Sequence, residues 1–149
     1  RLNVLSDLPW ELMTFPFEDG EMTIFDRFPD VIWYDYTKNP HRMMQFLDYI
    51  HGRGGEWPNN YYLTFSWSEV NAETSFAIMQ AGGNVAIPFD VQKLPTPHAR
   101  TPDLPAEYCG VPVINADEHD LRFLDYQEGY HGVFCGLLDL SQKLKKLAQ

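Results

Sequence analysis

Five groups of polar side chains stand directly after segments of this chain that read as β-strands. They are Ser6 and Asp7; Asp35, Tyr36 and Lys38; Ser66, Ser68 and Glu69; Asp90; and Asp117, Glu118, His119 and Asp120. In parallel α/β folds the ends of successive strands converge on one rim, where ligands bind and catalytic groups sit. Carboxylates, a phenol, an ammonium and hydroxyls gathered there can exchange protons and hold a polar ligand. Asp35, Tyr36, Lys38, Ser66, Ser68 and Glu69 are therefore the candidate catalytic residues, with Ser6, Asp7 and Asp90 as candidate ligand contacts. A local explanation competes: Asp, Ser and Asn also follow strands because they cap the next helix, and Ser68 or Asn71 is placed for that duty.

Lys38 beside carboxylates either binds an anionic substrate, acts as an acid or base if partly buried, or forms a surface ion pair. Asp117, His119 and Asp120 put an imidazole between carboxylates, which suits a general base or a divalent metal. As a metal signature this cluster lacks a second well-spaced histidine, His131 being the candidate for a second histidine ligand. Gly-rich dinucleotide, P-loop and GxSxG patterns are absent, and Gly52-Arg53-Gly54-Gly55 is too irregular for a phosphate loop. Cys109 and Cys135 form no CxxC pair, so both read as small core residues rather than as a disulfide or thiolate metal set.

The elements that must position these groups alternate between strand and helix. Leu2 to Leu5, Val31 to Tyr34, Tyr61 to Phe65, Asn84 to Ile87, Val111 to Ile114 and Gly132 to Cys135 are short β-rich runs bounded by turn residues. Asn39-Pro40 starts a helix with Met43, Phe46, Leu47 and Ile50 on one face, ending before Gly52. Asn71 caps a second helix with Ala72, Phe76 and Met79 on one face, and Leu140, Leu144 and Leu147 mark a closing helix. Leu8 to Asp30 holds at most a short helix, and the prolines of Gln92 to Gly110 predict a long loop. The pattern predicts one α/β domain over residues 1–149, with a mostly parallel sheet in a partial or open (β/α) barrel. Arg1 opens directly on a predicted strand with no initiator Met, a start open to two readings, a fragment or a shortened form of a longer barrel domain.

The formal charge of −10 opposes a phosphate backbone, which argues against direct nucleic-acid binding. The carboxylates are scattered, as on a solvated surface; the sharper reading is an acidic protein that occupies a basic groove on a partner. No apolar run approaches the length of about 20 residues that crosses a bilayer, and no signal peptide is evident, so the cytoplasm is the expected location.

The strings RLNVLSDLPWE, YDYTKNP, YYLTFSWSE, AGGNVAIPFDV and LPAEYCGVPVINADEHDLRFLD resemble a family of bacteriophage and prophage proteins, similar to the domain named after mycobacteriophage gene product eighty-eight. The resemblance runs from Arg1 to about Asp125. It implies a layout like the partial barrels of radical-SAM-type proteins, with Ser6, Asp7, Asp35, Tyr36, Lys38, Ser66, Ser68, Glu69, Asp117 and Asp120 lining the rim. The chain departs from its relatives by lacking their upstream cysteine segment and by its ending, GVFCGLLDLSQKLKKLAQ, so no iron–sulfur cluster is expected here. Two functions of different classes follow. One is a phage-encoded enzyme or small-molecule-binding domain that uses the rim, with or without a divalent metal. The other is an acidic interaction protein, such as an anti-defence inhibitor of a host nucleic-acid-binding complex.

Overall fold

The computed structural model describes residues 1–89 and 104–138. A 3-10 turn at Trp10–Leu12 leads into the hairpin of β1 (Phe15–Phe17) and β2 (Gly20–Met22), followed by the single-turn helix α1 (Ile24–Arg27). Next come β3 (Trp33–Thr37), α2 (Pro40–Ile50), β4 (Tyr61–Ser66), α3 (Ala72–Gln80) and β5 (Val85–Phe89). The later elements are β6 (Glu107–Tyr108), β7 (Val111–Asn115), α4 (Phe123–Gln127) and β8 (Phe134–Leu138).

Six strands form one sheet in the order β3-β4-β5-β8-β7-β6, parallel throughout except for the short β6. The mostly parallel α/β architecture expected from the sequence is present. Partners in a parallel register share a face, so Tyr34, Tyr36, Tyr62, Thr64, Ser66 and Ala86 lie on one side of the sheet. Trp33, Asp35, Tyr61, Leu63, Phe65 and Val85 lie on the other, and there Met43, Phe46 and Leu47 of α2 and Ile78 and Met79 of α3 complete the main core. At Gly83 an added Cβ would stand 2.6–2.9 Å from Ile78, Leu47 and Met43, so this glycine lets the two helices close over β5. Between β7 and β8 the chain reverses its direction across the sheet. A crossover of the same hand then puts α4 on the opposite face, where Phe123 meets the rings of Tyr34 and Tyr62 and Asp125 meets Cys135.

Tyr126 of α4 is inserted into the sheet itself. The β4–β5 register covers only Phe65↔Val85 and Ser66↔Ala86. Beyond it the Tyr126 hydroxyl donates to the Leu63 carbonyl at 3.0 Å and accepts from the Asn84 N–H at 3.0 Å, so a buried phenol replaces the missing rung. Burial, the largest influence, pushes this phenol far above its ordinary pKa, and it stays neutral.

Helix α2 forms as its sequence predicts. The Asn39 side chain accepts from the N–H groups of His41 and Arg42, Pro40 opens the first turn, and Gly52 at φ +65° closes a Schellman motif with Gly52 N–H on Tyr49 and Arg53 N–H on Asp48. In α3 the buried face is Ser75, Ile78 and Met79, with Phe76 half-buried against Trp67 and Phe134. Asn71 stands at the cap position, but its side chain turns back to the Ser68 N–H and the Ser66 carbonyl.

Several expectations are corrected. Leu2 to Leu5 is not a strand: the N–H groups of Leu2 and Asn3 donate to the Asp35 carboxylate instead of to a neighbouring strand, and Leu5 is 100% exposed. Leu8 to Asp30 contains a hairpin as well as a short helix. The expected long loop ends in a second hairpin, β6–β7, turned by Cys109 and Gly110 at φ 51° and 77°, so Cys109 is an exposed turn residue rather than part of the core. Asp90 and the predicted closing helix lie outside the described residues.

Candidate functional site

A cavity of about 400 Å³ opens at the C-terminal ends of β3 and β4, lined by Arg1, Asn3, Ser6, Asp7, Tyr36, Thr37, Lys38 and Ser66, with Val4 and Leu5 at its apolar side. One wall is the chain from Arg1 to Leu8, which crosses the end of β3 as a strap. Two carboxylates hold it. Asp35, fully buried in the middle of β3, accepts four hydrogen bonds: from the N–H groups of Leu2 (3.0 Å) and Asn3 (2.7 Å), the Asn3 amide (3.2 Å) and the Tyr61 hydroxyl (2.8 Å). Asp7 accepts from the Thr37 hydroxyl at 2.8 Å and the Lys38 N–H at 2.9 Å.

Arg42, a buried guanidinium on α2, meets Asp7 directly and Asp35 through the Tyr61 hydroxyl. It contacts Asp7 at 2.5 Å, grips both oxygens of Glu11 at 2.7 Å and donates to the Tyr61 hydroxyl at 3.1 Å. The Asn3 amide knots the strap, its oxygen accepting from Ser6 Oγ, the Leu8 N–H and Trp10 Nε1. Burial, opposed by its hydrogen-bond donors, leaves the Asp35 carboxyl above its ordinary pKa. For Arg42 burial works against the charge, but Glu11 and Tyr61 outweigh it and the pKa rises.

Tyr36 forms another side of the cavity. Its hydroxyl donates to Asp120 at 2.9 Å, the Arg1 guanidinium lies 4.6 Å from its ring centroid, and Arg1 reaches Asp120 at 3.6 Å. Burial, then the Asp120 charge, pushes this phenol well above its ordinary pKa. At neutral pH it stays protonated, its hydrogen held by Asp120.

Of the sequence-predicted residues, Ser6, Asp7, Tyr36, Lys38 and Ser66 therefore share one cavity, and Asp120 touches it through Tyr36. Asp35 lies beneath, facing the strap. Ser68 and exposed Glu69 sit in the turn before α3, where the Ser68 N–H donates to Asn71; neither lines the cavity. Asp117 and Glu118 are exposed in the turn after β7, which Asn115 closes by accepting from the Asp117 N–H.

The proposed metal residues are not assembled as ligands. His119 Nδ1 accepts from the Leu121 N–H at 3.2 Å and faces Arg122 Nη2 at 3.1 Å, while the Asp120 oxygens take Tyr34 and Tyr36. Among the described residues no group of three or more His, Cys, Asp and Glu is placed to hold a metal ion. His131 is at the other end of the strands, its ring tilted against that of His51, in a cavity of about 280 Å³ with Ile50, Tyr62, Tyr126 and Gln127.

Sequence reasoning missed Asn3, Glu11, Arg42 and Tyr61, which frame the site without lying at the C-terminal end of a strand. It also missed Arg122, whose guanidinium is buried beside Asp125 at 3.2 Å and hydrogen-bonds the His119 carbonyl, leaving Nε and Nη1 without hydrogen bonds. The spacing of Arg122 and Asp125, three residues apart on a helical stretch, was the one available signal. Nearby Cys135 is no nucleophile: burial, then Asp125, pushes its thiol up to about 12.

The chain belongs to the gene product 88 family, whose sequence model matches residues 1–144. The match continues past Asp125, where the recognisable strings end, into the C-terminal tail. No curated protein and no solved structure matches the chain.

Proposed function

We propose that this family member is a phage-encoded α/β domain that binds a small polar molecule in the rim cavity and carries the groups to act on it there. The carrying observation is the convergence of Ser6, Asp7, Tyr36, Lys38 and Ser66 on one cavity at strand C-terminal ends, of a size that suits a metabolite. Lys38 and Ser66 contact the ligand, and Tyr36, held by Asp120, shapes the cavity wall beside it. Ser68 and Glu69 belong to a flanking loop of this rim, and the open sheet is read as part of a barrel-like curl whose strand ends serve the ligand. The protein works in the host cytoplasm on this reading. The test is thermal denaturation with a panel of nucleotides, S-adenosylmethionine, sugar phosphates, neutral sugars and divalent metals, because a ligand of the folded state alone raises the midpoint. A rise in wild type that is lost when Ser66→Trp fills the cavity is expected. No rise with any compound overturns the reading.

A second reading has its own support. The net charge is −10, and the strap and neighbouring turns expose Val4, Leu5, Leu12 and Val70. Apolar side chains in an acidic surface suit docking to a basic groove of a host protein, as an anti-defence inhibitor requires. Stoichiometric co-purification of a host protein, lost on Leu5→Asp, favours this reading; its absence beside a clear ligand shift removes it.

A further inference from the structure

We infer that the rim cavity takes an organic anion, anchored through a phosphoryl or carboxyl group by Lys38, Arg1 and Ser66; this rests on the cavity being a small-molecule site. The inference comes from which groups around the cavity are already committed. The carboxylates around the cavity have donors of their own: Asp35 the strap and Tyr61, Asp7 the Thr37 hydroxyl, the Lys38 N–H and Arg42, and Asp120 the two tyrosines and Arg1.

What remains for a ligand is cationic or hydroxylic. The exposed Lys38 ammonium pairs with no carboxylate among the described residues, and the Ser66 hydroxyl has no hydrogen bond there. Arg1 uses Nε on the Asn3 carbonyl and holds Asp120 only at 3.6 Å, so it has donors to spare. An ammonium and a guanidinium flanking one cavity form an oxyanion clamp. The exposed Val4 and Leu5 on the same wall give the organic part of the ligand an apolar surface. The −10 charge of the chain repels anions at long range, so this affinity is local to the clamp.

The experiment is an amide-resolved NMR titration with phenyl phosphate, benzoate and neutral benzyl alcohol. Phenyl phosphate or benzoate is expected to shift the Ser6, Lys38 and Ser66 amides saturably, with benzyl alcohol at least tenfold weaker. Lys38→Met should weaken the anion tenfold or more and leave the denaturation midpoint unchanged, while Lys38→Arg retains binding. Equal binding of benzyl alcohol overturns the anion inference and leaves the small-molecule site standing. Anion shifts confined to other surface residues, or no shift by any of the three, overturn the inference too, and the broader reading is then decided by its own ligand panel.

Discussion

Among the described residues two arginines are buried, Arg42 on α2 at 3% exposure and Arg122 before α4 at 1%, and their surroundings differ. Arg42 has all three nitrogens bonded, to Asp7, to both oxygens of Glu11 and to Tyr61. Arg122 has one nitrogen bonded to His119 and an ion pair to Asp125, with Nε and Nη1 lacking hydrogen bonds. A buried charge is favourable only when its partners replace what water gave it. The strap region meets that condition and the α4 region does not. The difference teaches that the first ion cluster fixes the cavity wall, while the second is a cost that other contacts of α4 must offset.

Arg42→Met is the strongest way to break this contrast. It strands Asp7 and Glu11 without their cation, so urea denaturation should show a loss of about 3–5 kcal/mol. A loss under about 1 kcal/mol would mean the strap is held by the hydrogen bonds of Asp35 and Asp7 without need of the cation. On the other side, Tyr126→Phe deletes the phenol bridging β4 and β5 and leaves the Leu63 carbonyl and Asn84 N–H unsatisfied. The expected loss is about 1–3 kcal/mol, which would identify this bridge, and not the ion pair, as what secures α4. The double replacement Arg122→Met with Asp125→Leu should cause no loss, or a gain of about 1 kcal/mol, because a poorly bonded buried pair is replaceable by apolar volume. Destabilisation by 2 kcal/mol or more would erase the contrast.

The smallest expected effect is on pH dependence. Burial raises the folded pKa of Asp35 above the unfolded value of about 3.9, so its protonated form favours the folded state. That contribution is complete below the unfolded pKa and is lost as pH rises through the folded one. Between the two, stability should fall with rising pH by at most about 1.4 kcal/mol per pH unit for this one proton. Urea midpoints measured from pH 4 upward, in wild type and Asp35→Asn, isolate it; an identical slope in both would show that Asp35 does not titrate there.

Much of this architecture was legible because it is written in local periodicity. Asn39-Pro40 and the spacing of Met43, Phe46 and Leu47 identify α2, and the continuous apolar run at Tyr61 to Phe65 identifies a strand covered on both faces. What was illegible depends on partners distant in sequence. Arg42 lies beside those apolar positions, yet nothing local says that Glu11 will reach it from 31 residues away. Leu2 to Leu5 has strand composition, but its N–H groups go to a side chain, which composition cannot distinguish from a ladder. The turn at Cys109-Gly110 was hidden because cysteine is an uncommon residue at positive φ. At the site, strand-end position found Tyr36, Lys38 and Ser66, whereas Asn3 and Tyr61, which hold the strap, required the fold.

The phenol of Tyr126 also governs how the sheet breathes. Amide protons in a continuous ladder are released when neighbouring strands separate, but the Asn84 proton is covered by a side chain from α4. Its hydrogen exchange with solvent therefore reports the lifting of one short helix, and should be faster than that of Phe65, whose N–H is bonded to the Asn84 carbonyl across the strands. A sheet joined in part by a side chain has a seam between β4 and β5, and this seam is where the five parallel strands divide first into two and three.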